Sequence, residues 1–289
     1  MKISPRIKPF LIHLSLSAFV AVAVAAIIFF VWYPYPYRTI SGGAQLFFMI
    51  VSIDVIMGPL CTLIICKPEK SRLALGFDYT TIALVQLAAL AYGTWTMAVA
   101  RPVHMVFEKD LFRVAHATEI EKKLLKDTPP GINALPLTGP DMLSIKMPED
   151  NKEKDKSLDL ALSGALEAFQ PALWVPYDGK GAFEASREME ELRKKLPKAG
   201  QAIDAAVRAA GAPEADLRWT VVVGRQFVTW TALLDRTGRI AAYVPLDPDI
   251  NTPLLEGKKG AASAAASAAA PAASAASAPA PKSSSASAA

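Results

Sequence analysis

Residues 47–65 read FFMIVSIDVIMGPLCTLII, apolar almost throughout yet carrying one carboxylate, Asp54, which is followed four residues later by Gly58 and then Pro59. With its flanks the run covers 44–66, which as a helix rising about 1.5 Å per residue spans the roughly 30 Å of a bilayer's hydrocarbon. Two further stretches are as long and as apolar: FLIHLSLSAFVAVAVAAIIFFVW at 10–32, and 73–100. All three fall in the first hundred of 289 residues. The sequence therefore predicts a membrane region at 1–100, a soluble domain at 101–259 and a low-complexity tail at 260–289.

The Ala-Val-Ala pattern near Ala21 imitates a signal-peptide cleavage site, but the apolar run continues through Ile27, Phe29 and Phe30. A retained anchor is the expectation. Trp32, Tyr33, Tyr35 and Tyr37 then cluster in VWYPYPYR, as amphipathic rings do at lipid headgroups, and Pro34 and Pro36 end the helix. An interfacial belt and an extended turn are expected there.

Lys2, Arg6 and Lys8 precede the first span, and Lys67, Lys70 and Arg72 make the connector between the second and third basic. The loop between the first two spans holds only Arg38. The positive-inside bias thus places the N-terminus and that connector in the cytoplasm, and three crossings deliver everything after Arg101 to the other side, the periplasm if the cell is a Gram-negative bacterium.

Polar groups inside spans are costly and need partners. Counting along straight helices puts Asp54 and Gln86 at about the same depth, roughly 20 Å from the cytoplasmic edge, so a hydrogen bond between them is expected. Asp78 lies near the interface and keeps water. Gly58 and Pro59 free backbone groups and permit close approach of another helix. Proton or ion coupling would require ionisable groups at successive depths, and beyond Asp54 only His13 qualifies. A structural or partner-binding role for Asp54 is the stronger reading.

In the soluble part VHMVFE reads as a strand and DLFRVAHATEIEKKLL as a helix. Further helices are expected at 158–169, 183–196 and 202–210, and a hairpin joins RQFVTWTALLD to RIAAYVPL at RTG. The fold class is three transmembrane helices plus an α+β domain and a disordered Ala/Ser/Pro tail.

Several function classes receive no support. The formal charge is +4, but Lys and Arg form no stripe interleaved with aromatics, which argues against nucleic acid. Cys61 and Cys66 both lie in an apolar run, and His104 and His116 have no neighbouring Cys or paired carboxylate motif. There is no phosphate-binding loop or dinucleotide fingerprint. No cofactor, metal or catalytic residue is expected.

The order of features is more specific than any one of them. DVIMGPLCTLII, then KPEKSRLALGFDYTTIALVQLAALAYG, then RPVHMVFEKDLFRV resembles the TfpX/TfpZ family of type IV pilin accessory proteins over about the first 115 residues. The matching positions are Asp54 with Gly58, Pro59 and Leu60; Lys70; Asp78; Gln86 with Ala89, Leu90, Tyr92 and Gly93; and Arg101, Pro102, Val103, Phe107, Asp110 and Phe112. The resemblance implies a non-enzymatic inner-membrane protein that helps the major pilin assemble into type IV pili. Its partners would be that pilin, other pilus assembly proteins and membrane lipid. It makes Asp54, Gly58, Pro59, Asp78 and Gln86 candidate intramembrane contacts, and Tyr92, Gly93, Arg101, Pro102, Phe107 and Asp110 candidates for the membrane–periplasm junction. The alternative is a membrane sensor with a periplasmic input domain acting through a partner protein.

Overall fold

The computed structural model describes residues 7–65 and 69–249. The expectations for Cys66 and Lys67 and for the tail from Gly260 fall outside the described residues. Three long helices come first: α1 (Ile7–Ile27), α3 (Gly43–Ile65) and α4 (Arg72–Val99), with a single turn, α2 (Tyr37–Ile40), between the first two. The three are long and apolar enough to cross a membrane, and few of their side chains are buried against protein. That is the expected surface of helices solvated by lipid. The last turn of α1 widens into a π-helix, Ile28–Trp32, closed where the Tyr33 N–H donates to the Ile28 carbonyl at 2.7 Å. Ser71 caps α4 by accepting the Ala74 N–H.

α3 packs against both α1 and α4, whereas α1 and α4 do not run along each other. The apolar core of this bundle sits at its sheet-proximal end, where Ile28, Tyr33, Phe47 and Met97 are buried together. Pro59 lies inside α3 without ending it. It leaves the Val55 carbonyl without its intrahelical donor, a loss that neighbouring helices can offset.

Among the described residues after α4 there is one mixed sheet of eight strands: β1 (Pro102–Glu108), β2 (Leu111–His116), β3 (Asp141–Ile145), β4 (Trp174–Pro176), β5 (Arg187–Glu188), β6 (Arg218–Val223), β7 (Thr229–Leu234) and β8 (Ile240–Val244). The order is β4-β3-β1-β2-β6-β7-β8, with the two-residue β5 also pairing with β6. β1 with β3 and β2 with β6 are the parallel pairs. Helices α5 (Asn151–Leu162), α6 (Gly179–Ala185), α7 (Met189–Lys195) and α8 (Gly200–Ala210) complete the α+β domain.

Both faces of the sheet are covered, so its strands β1, β6 and β7 are largely buried on both sides. On one face Trp219, Val221, Leu233, Ala242 and Val244 meet Leu192 of α7 and Ile203 of α8. On the other, Met105, Phe107, Phe112, Val222, Trp230 and Leu234 meet Ala182 of α6 and, from the loop after the first span, Tyr37 and Ile40. Ile40 has 0% of its surface exposed and Tyr37 8%. The aromatic loop thus differs from the expected headgroup belt. Tyr33 and Tyr37 are buried in protein, and the exposed Tyr35 stacks edge-on to Tyr243, with ring centroids 5.9 Å apart. Tyr suits both settings, a wet headgroup layer and a protein core that leaves its hydroxyl a partner.

Three further expectations are corrected. DLFRVAHATEIEKKLL is not a helix: its first half is β2, hairpinned to β1 through a two-residue turn in which Lys109 takes φ 52°. Its second half is a short 3-10 segment, Lys122–Asp127. The helix expected at 183–196 is two short ones broken by β5, which Arg187 and Glu188 form by pairing with Trp219 and Arg218. The helix expected at 158–169 lies earlier, as α5, and is followed by a 3-10 turn at Glu167–Phe169. The strand VHMVFE, the helix at 202–210 and the β7–β8 hairpin are present as β1, α8 and β7–β8.

Candidate functional site

The polar residues of the spans converge. Gln86 on α4 donates its Nε2–H to the backbone carbonyl of Asp54 on α3 at 2.8 Å, and its Oε1 lies 2.5 Å from His13 Nε2 on α1. His13 Nδ1 lies 2.6 Å from Thr62 Oγ1 on α3. Since Gln86 Oε1 can only accept, His13 Nε2 donates, and with a neutral imidazole the Thr62 hydroxyl donates to Nδ1. One chain of hydrogen bonds therefore joins all three helices. Its interior position makes each bond an alternative to an unpaired polar group in lipid.

The expected Asp54–Gln86 bond exists, but through the Asp54 main chain rather than its carboxylate. Oδ2 of Asp54 is buried and has no hydrogen-bond partner among the described residues. Gly58 sits directly under the Gln86 amide, where any Cβ would collide with it, and Gly93 is similarly pressed against Ile50 of α3. These two glycines let α3 and α4 approach closely enough for Gln86 to reach the α3 backbone. Pro59 is buried in the same contact region. Asp78 stands apart, bonded to Lys70 at 2.5 Å near the start of α4.

Between the His13–Gln86 bridge and the apolar plug at Ile28, Phe47 and Met97, α1 and α4 diverge and leave a groove of about 170 Å³ floored by α3. Leu16, Ser17 and Val20 of α1 and Leu87 and Leu90 of α4 form its walls, and Asp54 lies at its floor. A second hollow of about 270 Å³ opens on the other side of the α3–α4 contact, lined by Asp54, Gly58 and Gln86 among apolar residues. Asp54 thus borders both.

The candidates for the junction separate. Arg101 follows α4 and is pinned by three carbonyls, those of Ala98 at 2.7 Å, Pro136 at 3.0 Å and Leu135 at 3.1 Å. Burial lowers the proton affinity of its guanidinium, and the neighbouring Tyr33 phenol opposes that. Burial likewise pushes the Tyr33 phenol up to about 12, against the pull of Arg225 and Arg101. The Tyr33 hydroxyl donates to the Met97 carbonyl at 3.2 Å, tying the first loop to the end of α4. Pro102 begins β1, and Tyr92 lies exposed on α4 beside Trp95. Phe107 and Asp110 are further from the membrane: Phe107 is core, packed on Phe112 at 5.1 Å, and Asp110 lies in the distal β1–β2 turn, where its carbonyl accepts the Thr220 hydroxyl.

Both histidines of the sheet domain are fully buried. His104 Nε2 reaches the Ala134 carbonyl at 3.1 Å and its ring meets Trp174 edge-on. Burial holds the His104 pKa below the usual imidazole range, with the Ala134 bond and the Asp141 charge opposing it. His116 shares one oxygen of Glu119 between its ring Nδ1 and its backbone N–H. Burial alone would raise the Glu119 pKa, but these bonds, the His116 charge and Arg225 outweigh it and lower it.

A family model described as Fimbrial assembly protein FimB matches residues 1–42. A fimbrial assembly protein of serogroup E1 from Dichelobacter nodosus is 32% identical over 247 residues, covering 82% of this chain and 93% of that one. The serogroup I protein of the same organism is 33% identical over the same span and shares. This chain belongs to the fimbrial assembly protein family. A shorter relative, of serogroups C1 and C2, is 45% identical over 109 residues, 38% of this chain and 83% of its own length. No solved structure matches. The segment shared with the fimbrial assembly model contains both His13 of the polar chain and the Tyr33–Ile40 loop that enters the sheet core. Sequence reading singled out neither as a packing element. The spacing of Tyr37 and Ile40 is the available signal, since it places both on one side of a single helical turn.

Proposed function

We propose that this fimbrial assembly protein is a non-catalytic accessory protein of the bacterial inner membrane that holds the major pilin during assembly of type IV pili. The finer resemblance to the TfpX/TfpZ pilin accessory proteins supports this reading, as do the relatives' names. The observation that carries it is the groove between α1 and α4, with apolar walls and Asp54 in its lining, whose buried Oδ2 has no hydrogen-bond partner among the described residues. A pilin awaiting assembly is a single apolar helix with a head outside the membrane. Such a helix can lay side chains into the groove, donate a hydrogen bond to Asp54 and rest its head beside the sheet domain.

The orientation proposed has the N-terminus and the Lys70–Arg72 connector in the cytoplasm and the sheet domain in the periplasm. The basic residues at that end of the spans support it. An alkaline phosphatase fused at the C-terminus should be active, and an inactive fusion beside a fluorescent cytoplasmic reporter would reverse the orientation. Deleting the gene should strip the cells of surface pili and twitching, with restoration by the intact chain. Normal piliation in a clean deletion would refute the assignment.

A further inference from the structure

Two large apolar side chains are left bare on loops at the membrane end of the sheet domain. Leu137 is 69% exposed and Phe227 is 68% exposed, and neither belongs to a span. Both loops are tied to the ends of the membrane helices. The Gly139 N–H donates to the Val31 carbonyl, in the last turn of the first span, at 2.7 Å. Arg101, at the end of α4, holds the carbonyls of Leu135 and Pro136. Leu137 is two residues from the Val31 bond, so its backbone lies within about 7 Å of it. The second loop follows β6: Gly224 abuts the Ile40 carbonyl, and the Arg225 charge bears on Tyr33.

The loop that carries Phe227 is shaped for display. The Gly224 N–H donates to the Val228 carbonyl, and the Val228 N–H returns to the Arg225 carbonyl, closing a tight turn. Gln226 and Phe227 both take left-handed backbone angles, φ 55° and 61°, which side chains other than glycine rarely adopt. Such conformations persist where the surroundings over-determine them. Here the result is an aromatic ring held outward beside Val228, itself exposed.

We infer that Leu137 and Phe227 insert into the lipid headgroup layer around α1 and α4, mooring the sheet domain flat on the membrane. The level fits: Val31 precedes Trp32, where the first span leaves the hydrocarbon, and amphipathic and aromatic side chains partition favourably into that layer. The mooring is independent of the pilin-holding role.

The test uses the full chain with Cys61→Ala and Cys66→Ala, reconstituted in vesicles of phosphatidylethanolamine and phosphatidylglycerol. A nitroxide is placed at Leu137→Cys, Phe227→Cys or Leu162→Cys. Leu162 is the control: it is 79% exposed, and the segment after α5 meets Glu108 at the end of β1 away from the membrane. Collision with oxygen relative to a water-soluble nickel chelate should be several-fold higher at 137 and 227 than at 162. Ratios equal to that at 162 would overturn the inference. Should a labelled chain fail to fold, Phe227→Trp replaces it. Its added fluorescence should be quenched by lipids brominated near the headgroup, while that of Leu162→Trp is not, and equal quenching would count against insertion.

Discussion

The spans and the sheet domain are built on opposite terms. Every residue of β1 is buried, whereas the membrane helices turn most of their apolar side chains outward. In the sheet, cohesion comes from large side chains such as Trp219, Phe112 and Trp230 excluded from water. In lipid that driving force is absent between helices, so the bundle relies on small residues and polar contacts. Gly58, Gly93 and the Thr62–His13–Gln86–Asp54 chain supply them. The same substitution should therefore have different consequences in the two regions, and the Tyr33–Ile40 loop, which belongs to the first by sequence, obeys the rules of the second.

Tyr37→Ala should show the largest effect. Removing a buried aromatic from a well-packed core costs about 3–5 kcal/mol, and the loss should appear as earlier unfolding and protease sensitivity of the sheet domain in detergent. Ile56→Ala, an equally apolar truncation on the exposed face of α3, should leave that stability unchanged. If Tyr37→Ala leaves the sheet as stable as the parent, the loop is not part of its core.

Gln86→Leu comes next. It breaks the bond to the Asp54 carbonyl and leaves His13 without its acceptor; interhelical bonds of this kind are worth about 0.6 kcal/mol each and up to about 1.7. The α3–α4 contact should loosen, measurable as faster disulfide or bifunctional crosslinking between introduced cysteines, with membrane insertion intact. For Asp54 the buried Oδ2 has no partner among the described residues to lose. Asp54→Leu should spare insertion and reduce piliation, and Asp54→Asn should be milder. Equal damage from both would mean that the carboxylate's proton chemistry matters.

The smallest effect is a pH dependence of the sheet domain. Unfolded histidine takes a proton near pH 6.5, whereas folded His104 does so only at lower pH, because burial disfavours its charged form. Its contribution to stability is therefore complete above about pH 6.5 and is lost as pH falls below that, with a slope of at most about 1.4 kcal/mol per pH unit. Glu119, whose folded pKa is depressed, acts in a separate and more acidic window. His104→Gln, which keeps a donor for the Ala134 carbonyl, should flatten the melting temperature between pH 7 and about pH 5.5. An unchanged slope would assign the dependence elsewhere.

The spans were legible because length and apolarity alone define them, and Asp54 and Gln86 could be paired by counting depth along straight helices. Which atom of Asp54 is bonded could not be read, since that depends on how closely Gly58 lets Gln86 approach. His13 looked isolated because its partners lie 49 and 73 positions away. β2 was hidden by its turn: Lys109 occupies a left-handed position that Gly or Asn would have advertised. Tyr37 defeats the sequence reading for a chemical reason, since the rings that suit a headgroup layer also suit the face of a sheet.

The claim on which the functional reading depends is that the groove over Asp54 receives a pilin helix. Leu16 lines that groove, while Val22, exposed and about 240° further round α1 at 100° per residue, points away from it. A photo-reactive residue at each position, irradiated in native membranes, should capture the major pilin from Leu16→photo-probe and lipid alone from Val22→photo-probe. Capture of lipid alone from both positions, or of pilin equally from both, would contradict it.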